Sequence, residues 1–220
     1  MKKHTLLSDI AVFLLIFILF IVPPFFTASI SVERPLFTSW DFPWYQLLIA
    51  ALSFTLLFFY YEKSDKKTLI VYPVLITYGM LFSTSLFIHF ISELLKAKGF
   101  GSGFTDATNV LKPVGFIQWL YCLIFFLCGA FYEEVIYRFY FSDMLFSLIT
   151  KKKNFPCSRL LCEAAGLLCF AFAHFYMGWL AVLNAALAHV FLRWCYVRGG
   201  KLWQCVTAHF IYNVISLILL

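Results

Sequence analysis

The sequence predicts an all-α membrane protein, a polytopic bundle of about seven transmembrane helices with a polar site in its C-terminal helices. Of the 220 residues, 63% are hydrophobic and only 13% are charged, whereas soluble globular chains are roughly 45–50% apolar and about 25% charged. The apolar residues form runs long enough to cross a bilayer. Aromatic residues gather at the ends of several runs, as they do at membrane interfaces.

The length fits a single membrane domain over residues 1–220. Residues 1–113 are expected to form the N-terminal spans and residues 114–220 the core that carries the polar site. The net charge is +6, but no basic stripe is interleaved with exposed aromatic residues, which argues against a nucleic-acid partner. The seven cysteines lie mostly in apolar runs and form no CxxC pair, which predicts buried apolar residues rather than disulfides or a metal site.

Seven apolar runs are the predicted spans. The first follows a short basic head and extends from residue 10 to residue 30; a cleaved signal peptide is the alternative interpretation. Residues 93–112 contain three glycines and are expected to be a connector that could also gate access to a site. Residues 142–150 are expected at the membrane interface. The other six spans are predicted at 41–61, 68–92, 114 to about 141, 160–180, 179–196 and 202–220.

The distribution of basic residues predicts the orientation in the membrane. With the N-terminus in the cytoplasm, twelve lysines and arginines fall on the cytoplasmic side and four on the outer side, and Arg138 lies inside the membrane. Because cytoplasmic loops are enriched in these residues, we expect a cytoplasmic N-terminus and an outer C-terminus. The small size favours a bacterial plasma membrane.

A cluster of charges interrupts the fourth apolar run. A charged side chain in hydrocarbon costs roughly 2.5–3.5 kcal/mol on insertion scales, so such residues are expected to pair, to face a wet cavity or to act chemically. Glu134 and Arg138 are four residues apart and can pair on one helix face. Glu133 points about 100° away, which makes it the carboxylate without a partner.

Two further polar sites lie on later spans. His174 is on the fifth span, and His209 and Asn213 share one face of the seventh because they are four residues apart. His189 and Asn184 are interpreted as interhelical hydrogen-bonding groups. At 1.5 Å per residue, Glu133, His174 and His209 lie about 13, 16 and 12 Å from their cytoplasmic ends. These depths predict a common site in the cytoplasmic half of the membrane.

One carboxylate, two imidazoles and one amide can form an acid/base site if the three helices meet. Glu133 could deprotonate a water molecule for attack on a carbonyl group. A histidine–asparagine face could stabilise the oxyanion that develops. Alternatively, Glu133, His174 and His209 could hold Zn²⁺ with a position open for water. Either version fits peptide hydrolysis within the membrane, and the version without a cofactor is preferred.

The motifs Glu133-Glu134-x-x-x-Arg138, Phe170-x-x-x-His174 and His209-x-x-x-Asn213 resemble the CPBP family. This family comprises CAAX prenyl protease type II and bacteriocin-processing intramembrane proteases and is also called Abi. The resemblance covers residues 114–220. It implies an endopeptidase in which Glu133 activates water.

The same resemblance assigns roles to the other motif residues. His174 and His209 would assist or bind, and Asn213 would support the oxyanion. Glu134 and Arg138 would hold the site together, with Arg138 a candidate to meet a substrate carboxylate. The implied partners are a membrane-associated peptide or protein substrate and the lipid bilayer.

Two other functions remain open at this stage. One is a non-catalytic immunity or scaffold protein of the same fold, which would bind membrane partners without cleaving them. The other is a proton-linked transporter, against which the chain shows no repeated pair of broken helices.

Overall fold

The computed structural model describes residues 5–26, 39–60, 71–99, 110–151 and 156–219, and all regular secondary structure in these ranges is helical. The predicted all-α class is therefore confirmed. The α-helices are α1 (Leu6–Ile16), α2 (Trp44–Tyr60), α3 (Val71–Ala97), α4 (Gly115–Glu133), α5 (Ser142–Thr150), α6 (Ser158–Phe172), α7 (Trp179–Gly199) and α8 (Leu202–Leu219).

Four segments of other helical geometry extend or join these helices. A π-helical turn (Phe17–Ile21) and a 3₁₀ turn (Pro23–Phe26) prolong α1. A π-helical segment (Glu134–Phe141) joins α4 to α5. A second 3₁₀ turn (Phe175–Met177) lies between α6 and α7.

The described residues contain five helical stretches long and apolar enough to cross a membrane. Helix α2 is apolar but has 17 residues, and α6 has 15 residues. Large apolar side chains are exposed on the outside of the bundle, as expected for a lipid-facing surface. The protein is therefore an integral membrane protein. The five stretches are Leu6–Phe26, Val71–Ala97, Gly115–Thr150, Trp179–Gly199 and Leu202–Leu219.

The fifth predicted span is shorter than expected. The sequence predicted a helix over residues 160–180, but α6 ends at Phe172 and the chain turns before α7 begins at Trp179. Gly178 has φ 92° and ψ 171°, a conformation that residues with a Cβ rarely adopt. This glycine ends the turn and redirects the chain, so His174 lies in a connection and not on a helix face.

The fourth predicted span is longer than expected. The helical backbone does not end at Phe141, because Phe141 and Ser142 keep right-handed helical dihedral angles. The continuous stretch Gly115–Thr150 has 36 residues, which correspond to about 54 Å of rise. Since the hydrocarbon core is only about 30 Å thick, part of this stretch has to lie outside it or tilt strongly.

The π-helical segment lies at the centre of the bundle. Its residues Val135, Ile136, Tyr137 and Tyr140 are at most 2% exposed and pack into one cluster with α1, α2 and α6. A Cβ atom at Gly166 of α6 would overlap the hydroxyl group of Ser142. This close approach brings the helix that precedes His174 against the helix that carries the two glutamates.

The predicted orientation and the predicted loop fall largely on residues that are not described. Most of the lysines counted for the cytoplasmic side, and residues 100–109 of the glycine-containing loop, lie outside the described residues. The orientation and a gating role of that loop therefore remain predictions. The basic residues outside the described ranges are Lys2, Lys3, Arg34, Lys63, Lys66, Lys67, Lys152 and Lys153.

Candidate active site

The two adjacent glutamates occupy a change in helix type. Glu133 is the last residue of α4, and Glu134 is the first residue of the π-helical segment. π-Helical turns are rare and occur frequently at functional sites. The side chain of Glu133 is 20% exposed, whereas that of Glu134 is fully buried. The backbone therefore presents neighbouring carboxylates to two different environments.

Glu134 is held by two basic side chains. The distance from its Oε2 to Arg138 Nε is 3.3 Å, and both side chains are 0% exposed. This confirms the predicted pairing of Glu134 with Arg138. The second partner was not predicted: Nδ1 of His209 on α8 donates to Glu134 Oε1 at 2.8 Å. A carboxylate bound in this way costs far less to bury than an unpaired one.

His209 lies between the two glutamates. Because its Nδ1 donates to Glu134, Nε2 is the ring nitrogen directed at Glu133, at 3.9 Å from Glu133 Oε2. That distance is longer than a hydrogen bond. Oε2 of Glu133 accepts no hydrogen bond from the described residues. Glu133 thus has the spare acceptor capacity that a general base needs.

His174 faces the same space as Glu133. Its Nδ1 lies 2.9 Å from the carbonyl oxygen of Phe170, which fixes Nδ1 as the donor and leaves Nε2 as the nitrogen available for chemistry. His174 and Glu133 both line a cavity of about 390 Å³. The rest of its lining is apolar or aromatic: Leu19, Phe20, Pro23, Pro24, Tyr45, Ile49, Tyr132, Tyr137, Phe170, Ala173 and Tyr176.

Asn213 is the predicted site residue that the structure does not bring to this cavity. It lies one helical turn after His209 on α8 and is half-buried. It is absent from the cavity lining. The structure therefore joins Glu133, Glu134, Arg138 and His209 in one cluster and sets His174 across the cavity, with Asn213 a turn away.

Arg138 is not placed to meet a substrate carboxylate, contrary to the expectation from the resemblance. Its side chain is 0% exposed and does not line the cavity. The guanidinium carbon lies 3.9 Å from the ring centroid of Phe170, a cation–π contact that covers one face of the group. Arg138 is buried behind Glu134 and supports that carboxylate.

The donor set proposed for zinc does not form a metal-binding group. Within the described ranges, which include Glu133, His174 and His209, no three side chains of His, Cys, Asp or Glu are arranged to hold a metal ion. We therefore derive no step through a metal.

Four charged residues on α5, α6 and α7 contact one another beside the site. The sequence did not predict that they form a group. Arg193 of α7 donates from Nε to Glu163 Oε2 at 2.9 Å and from Nη2 to Asp143 Oδ1 at 2.8 Å. Arg159 contacts both of those carboxylates, at 2.6 Å and 2.7 Å. Nη1 of Arg193 also donates to the backbone carbonyl of Arg138. We call Asp143, Arg159, Glu163 and Arg193 the ion network.

Only part of the ion network has a signal in the sequence. Arg159 and Glu163 are four residues apart and pair on one helix, a spacing that sequence reasoning recognises. Arg193 and Asp143 are 50 residues apart, and no local pattern connects them. The network ties α5, α6 and α7 to the backbone of the π-helical segment.

The two interhelical hydrogen-bonding groups predicted on α7 have different outcomes. Asn184 Nδ2 donates to the hydroxyl group of Tyr212 on α8 at 3.1 Å, which confirms that prediction. For His189 the prediction is wrong, because neither ring nitrogen has a hydrogen-bond partner among the described residues. Its ring packs 5.6 Å from that of Phe170, so aromatic packing places it.

The candidate active site lies in a segment of the chain that matches a known protein family. Residues 115–215 match a family model described as "Type II CAAX prenyl endopeptidase Rce1-like". The matched segment is just under half of the chain and contains all six predicted site residues. No curated protein and no solved structure matches the chain.

Proposed function

The chain belongs, through residues 115–215, to the type II CAAX prenyl endopeptidase family, and we propose that it cleaves a membrane-associated peptide or protein by glutamate-activated water. The observation that carries this proposal is the contrast between the glutamates. Glu134 is fully buried, pairs with Arg138 and accepts a hydrogen bond from His209, whereas Glu133 is partly exposed and lines a cavity that His174 also lines.

The proposed reaction begins with a proton transfer. Glu133 takes a proton from a water molecule as that water attacks the carbonyl carbon of the scissile peptide bond. His174 donates from Nδ1 to the Phe170 carbonyl, so its Nε2 can accept a hydrogen bond from the attacking water and orient it. The C–N bond then breaks, and Glu133 returns its proton to the leaving nitrogen. Product release restores the free carboxylate.

The other site residues position this chemistry. Glu134 holds Nδ1 of His209, so that Nε2 of His209 is directed at Glu133. Arg138 neutralises the charge of Glu134 within the bundle. From its place one turn beyond His209, Asn213 would support the oxyanion once substrate is bound. That role rests on the resemblance, because Asn213 does not line the cavity.

We place the reaction in the cytoplasmic half of a bacterial plasma membrane, with the N-terminus in the cytoplasm. The ion network supports this depth, because a cluster of four charged side chains is expected where the bundle approaches water. Asp143 lies ten residues after Glu133, about 15 Å along a helix. The site is therefore about half the thickness of the hydrocarbon core away from that charged level.

A cleavage assay on the purified protein in detergent tests the proposal. Membrane-associated peptides are incubated with the wild type and with Glu133→Gln, each with and without a strong chelator, and Glu93→Gln on α3 is the matched control. We expect cleavage by the wild type and by the control, unaffected by chelator, and none by Glu133→Gln. Chelator-sensitive cleavage would indicate a metal enzyme. If the wild type cleaves no peptide in a broad library, the non-catalytic binding function replaces this one.

A further inference from the structure

The cavity that contains Glu133 and His174 needs a hydrogen-bond donor for the proposed reaction. When water attacks a peptide carbonyl group, the carbonyl oxygen becomes an oxyanion, and donors aimed at it contribute strongly to the rate. The carboxylate of Glu133 is an acceptor. His174 donates from Nδ1 to the Phe170 carbonyl, which leaves its Nε2 as an acceptor. Neither side chain therefore supplies the donor in this arrangement.

The other polar residues of the site do not reach the cavity. Asn213, Arg138 and His209 are not among the described residues that line it. The Arg138 side chain is 0% exposed. Nδ1 of His209 donates to Glu134, so that its Nε2 is an acceptor as well. The donor therefore has to come from the remaining polar groups of the cavity lining.

Those remaining polar groups are four tyrosine hydroxyls, each of which can donate a hydrogen bond. Tyr132 and Tyr137 belong to the same helical stretch as Glu133, one residue before it and four residues after it. Tyr45 on α2 is 62% exposed. Tyr176 is half-buried and belongs to a different wall, the turn between α6 and α7. Tyr176 is thus the half-buried donor that comes from outside the glutamate helix.

The position of Tyr176 suits an oxyanion better than a position beside Glu133 does. Until Glu133 has taken its proton, its negative charge repels the charge that develops on the carbonyl oxygen. A donor on another wall of the cavity draws that oxygen away from the carboxylate. Tyr176 follows His174 by two residues, and the charge of Glu133 acts on its hydroxyl group. The hydroxyl group therefore lies within the electrostatic range of the reaction.

The turn that carries Tyr176 is fixed by its own backbone. The amide of Met177 donates to the carbonyl of His174 at 3.0 Å, and the amide of Gly178 donates to that of Phe175 at 2.9 Å. The turn also packs against the 3₁₀ turn that prolongs α1. A donor held in place before the reaction needs no rearrangement as charge develops.

We propose that Tyr176 is a further catalytic residue, whose hydroxyl group donates a hydrogen bond to the oxyanion. The proposal rests on the peptidase function proposed above. As the water oxygen bonds to the carbonyl carbon, Glu133 takes one water proton and the π electrons of the carbonyl group move onto its oxygen. Tyr176 stabilises that oxygen and keeps its own proton. When the C–N bond breaks, the carbonyl group forms again and Glu133 protonates the leaving nitrogen.

The exchange Tyr176→Phe tests this role because it removes only the hydroxyl group. We expect kcat for a membrane-associated peptide to fall about 10²–10³-fold, as for the loss of one oxyanion donor. KM and the thermal unfolding midpoint should stay nearly unchanged, since the bond is made in the transition state. The matched control is Tyr140→Phe. Tyr140 is 2% exposed, lies on the π-helical segment and does not line the cavity, so its exchange should leave kcat unchanged.

A binding measurement gives a second readout for the same hydroxyl group. A peptide that carries a phosphinate in place of the scissile bond resembles the tetrahedral oxyanion. Tyr176→Phe should weaken its binding by about the factor lost in kcat/KM, because both report affinity for the transition state. Tyr140→Phe should bind it as the wild type does.

The proposal and the peptidase function fail separately. Wild-type kcat in Tyr176→Phe, while Glu133→Gln abolishes cleavage, would overturn the role of Tyr176 and leave the peptidase function standing. The same holds if the loss of kcat and of phosphinate affinity appears in Tyr137→Phe instead. A raised KM with a lowered midpoint and unchanged phosphinate affinity would show a structural role for Tyr176 and overturn the proposal. If the wild type cleaves no peptide, both fall together.

Discussion

Glu133 and Glu134 are neighbours in sequence and opposites in structure. Glu134 is fully buried, paired with Arg138 at 3.3 Å and bonded by His209 at 2.8 Å. Glu133 keeps one oxygen without a hydrogen bond in the described part of the chain, at the edge of a cavity of about 390 Å³. The difference shows how one short motif can supply both a reactive carboxylate and the charge that organises its surroundings.

The contrast also explains why Arg138 and His209 are buried. A lone arginine inside the bundle would be costly, but Glu134 compensates its charge. In return, Arg138 allows Glu134 to remain a carboxylate that fixes the Nδ1 of His209. The charges of Glu134 and Arg138 therefore depend on each other. Removing one of them should destabilise the protein more than removing both.

The largest expected effect on stability comes from breaking the Glu134–Arg138 pair on one side. Glu134→Gln leaves the Arg138 charge buried without compensation. It should lower the free energy of unfolding by about 3–5 kcal/mol. The double variant Glu134→Gln/Arg138→Gln should cost less than the single variant, because no charge is stranded. Equilibrium unfolding in detergent measures both. A double variant that is less stable than either single one would contradict the interdependence.

A smaller loss is expected from the ion network. Arg193→Met removes hydrogen bonds to Glu163 and Asp143, yet both carboxylates keep Arg159. Since neither is left unpaired, the cost should be about 2–3 kcal/mol, in the range of hydrogen bonds between charged groups. Arg198→Met, at an exposed position on the same helix, is the control and should change the free energy of unfolding very little.

The smallest effects on stability are expected at two half-buried asparagines, Asn184 and Asn213. Asn184→Ala removes the hydrogen bond to Tyr212 and should cost about 1 kcal/mol of stability. Asn213→Ala should leave stability nearly unchanged but lower kcat about 100-fold, if Asn213 meets the oxyanion as a hydrogen-bond donor. An Asn213→Ala enzyme with the wild-type kcat would remove Asn213 from the reaction.

Much of this arrangement follows from sequence patterns with a direct physical cause. Composition predicts the all-α membrane class, and the spacing of Glu134 and Arg138 predicts their pairing, because helical neighbours are four residues apart. The cost of charge in hydrocarbon singles out Glu133. In the structure Glu133 lies near His209 and shares a cavity lining with His174, although His174 lies in the turn after α6 and not on a helix.

Other features depend on tertiary contacts that no local pattern encodes. Nothing in residues 134–141 distinguishes a π-helix from an α-helix, because their periodicities differ by less than about one residue per turn and cannot be told apart over one or two turns. The contact of Arg193 with Asp143 joins helices that are distant in sequence. The early end of α6 follows from the turn at Gly178, whereas the apolar run continues across it. The cavity wall from α1 likewise requires long-range packing.

The most direct test of the account compares two isosteric variants, Glu133→Gln and Glu134→Gln, for cleavage of one peptide substrate and for thermal unfolding midpoint. The account predicts that Glu133→Gln loses about 10²–10⁴-fold in kcat, the usual contribution of a general base, with an unchanged midpoint. It predicts a clearly lowered midpoint for Glu134→Gln. Wild-type kcat in Glu133→Gln, together with a lowered midpoint, would contradict the assignment of the reactive carboxylate.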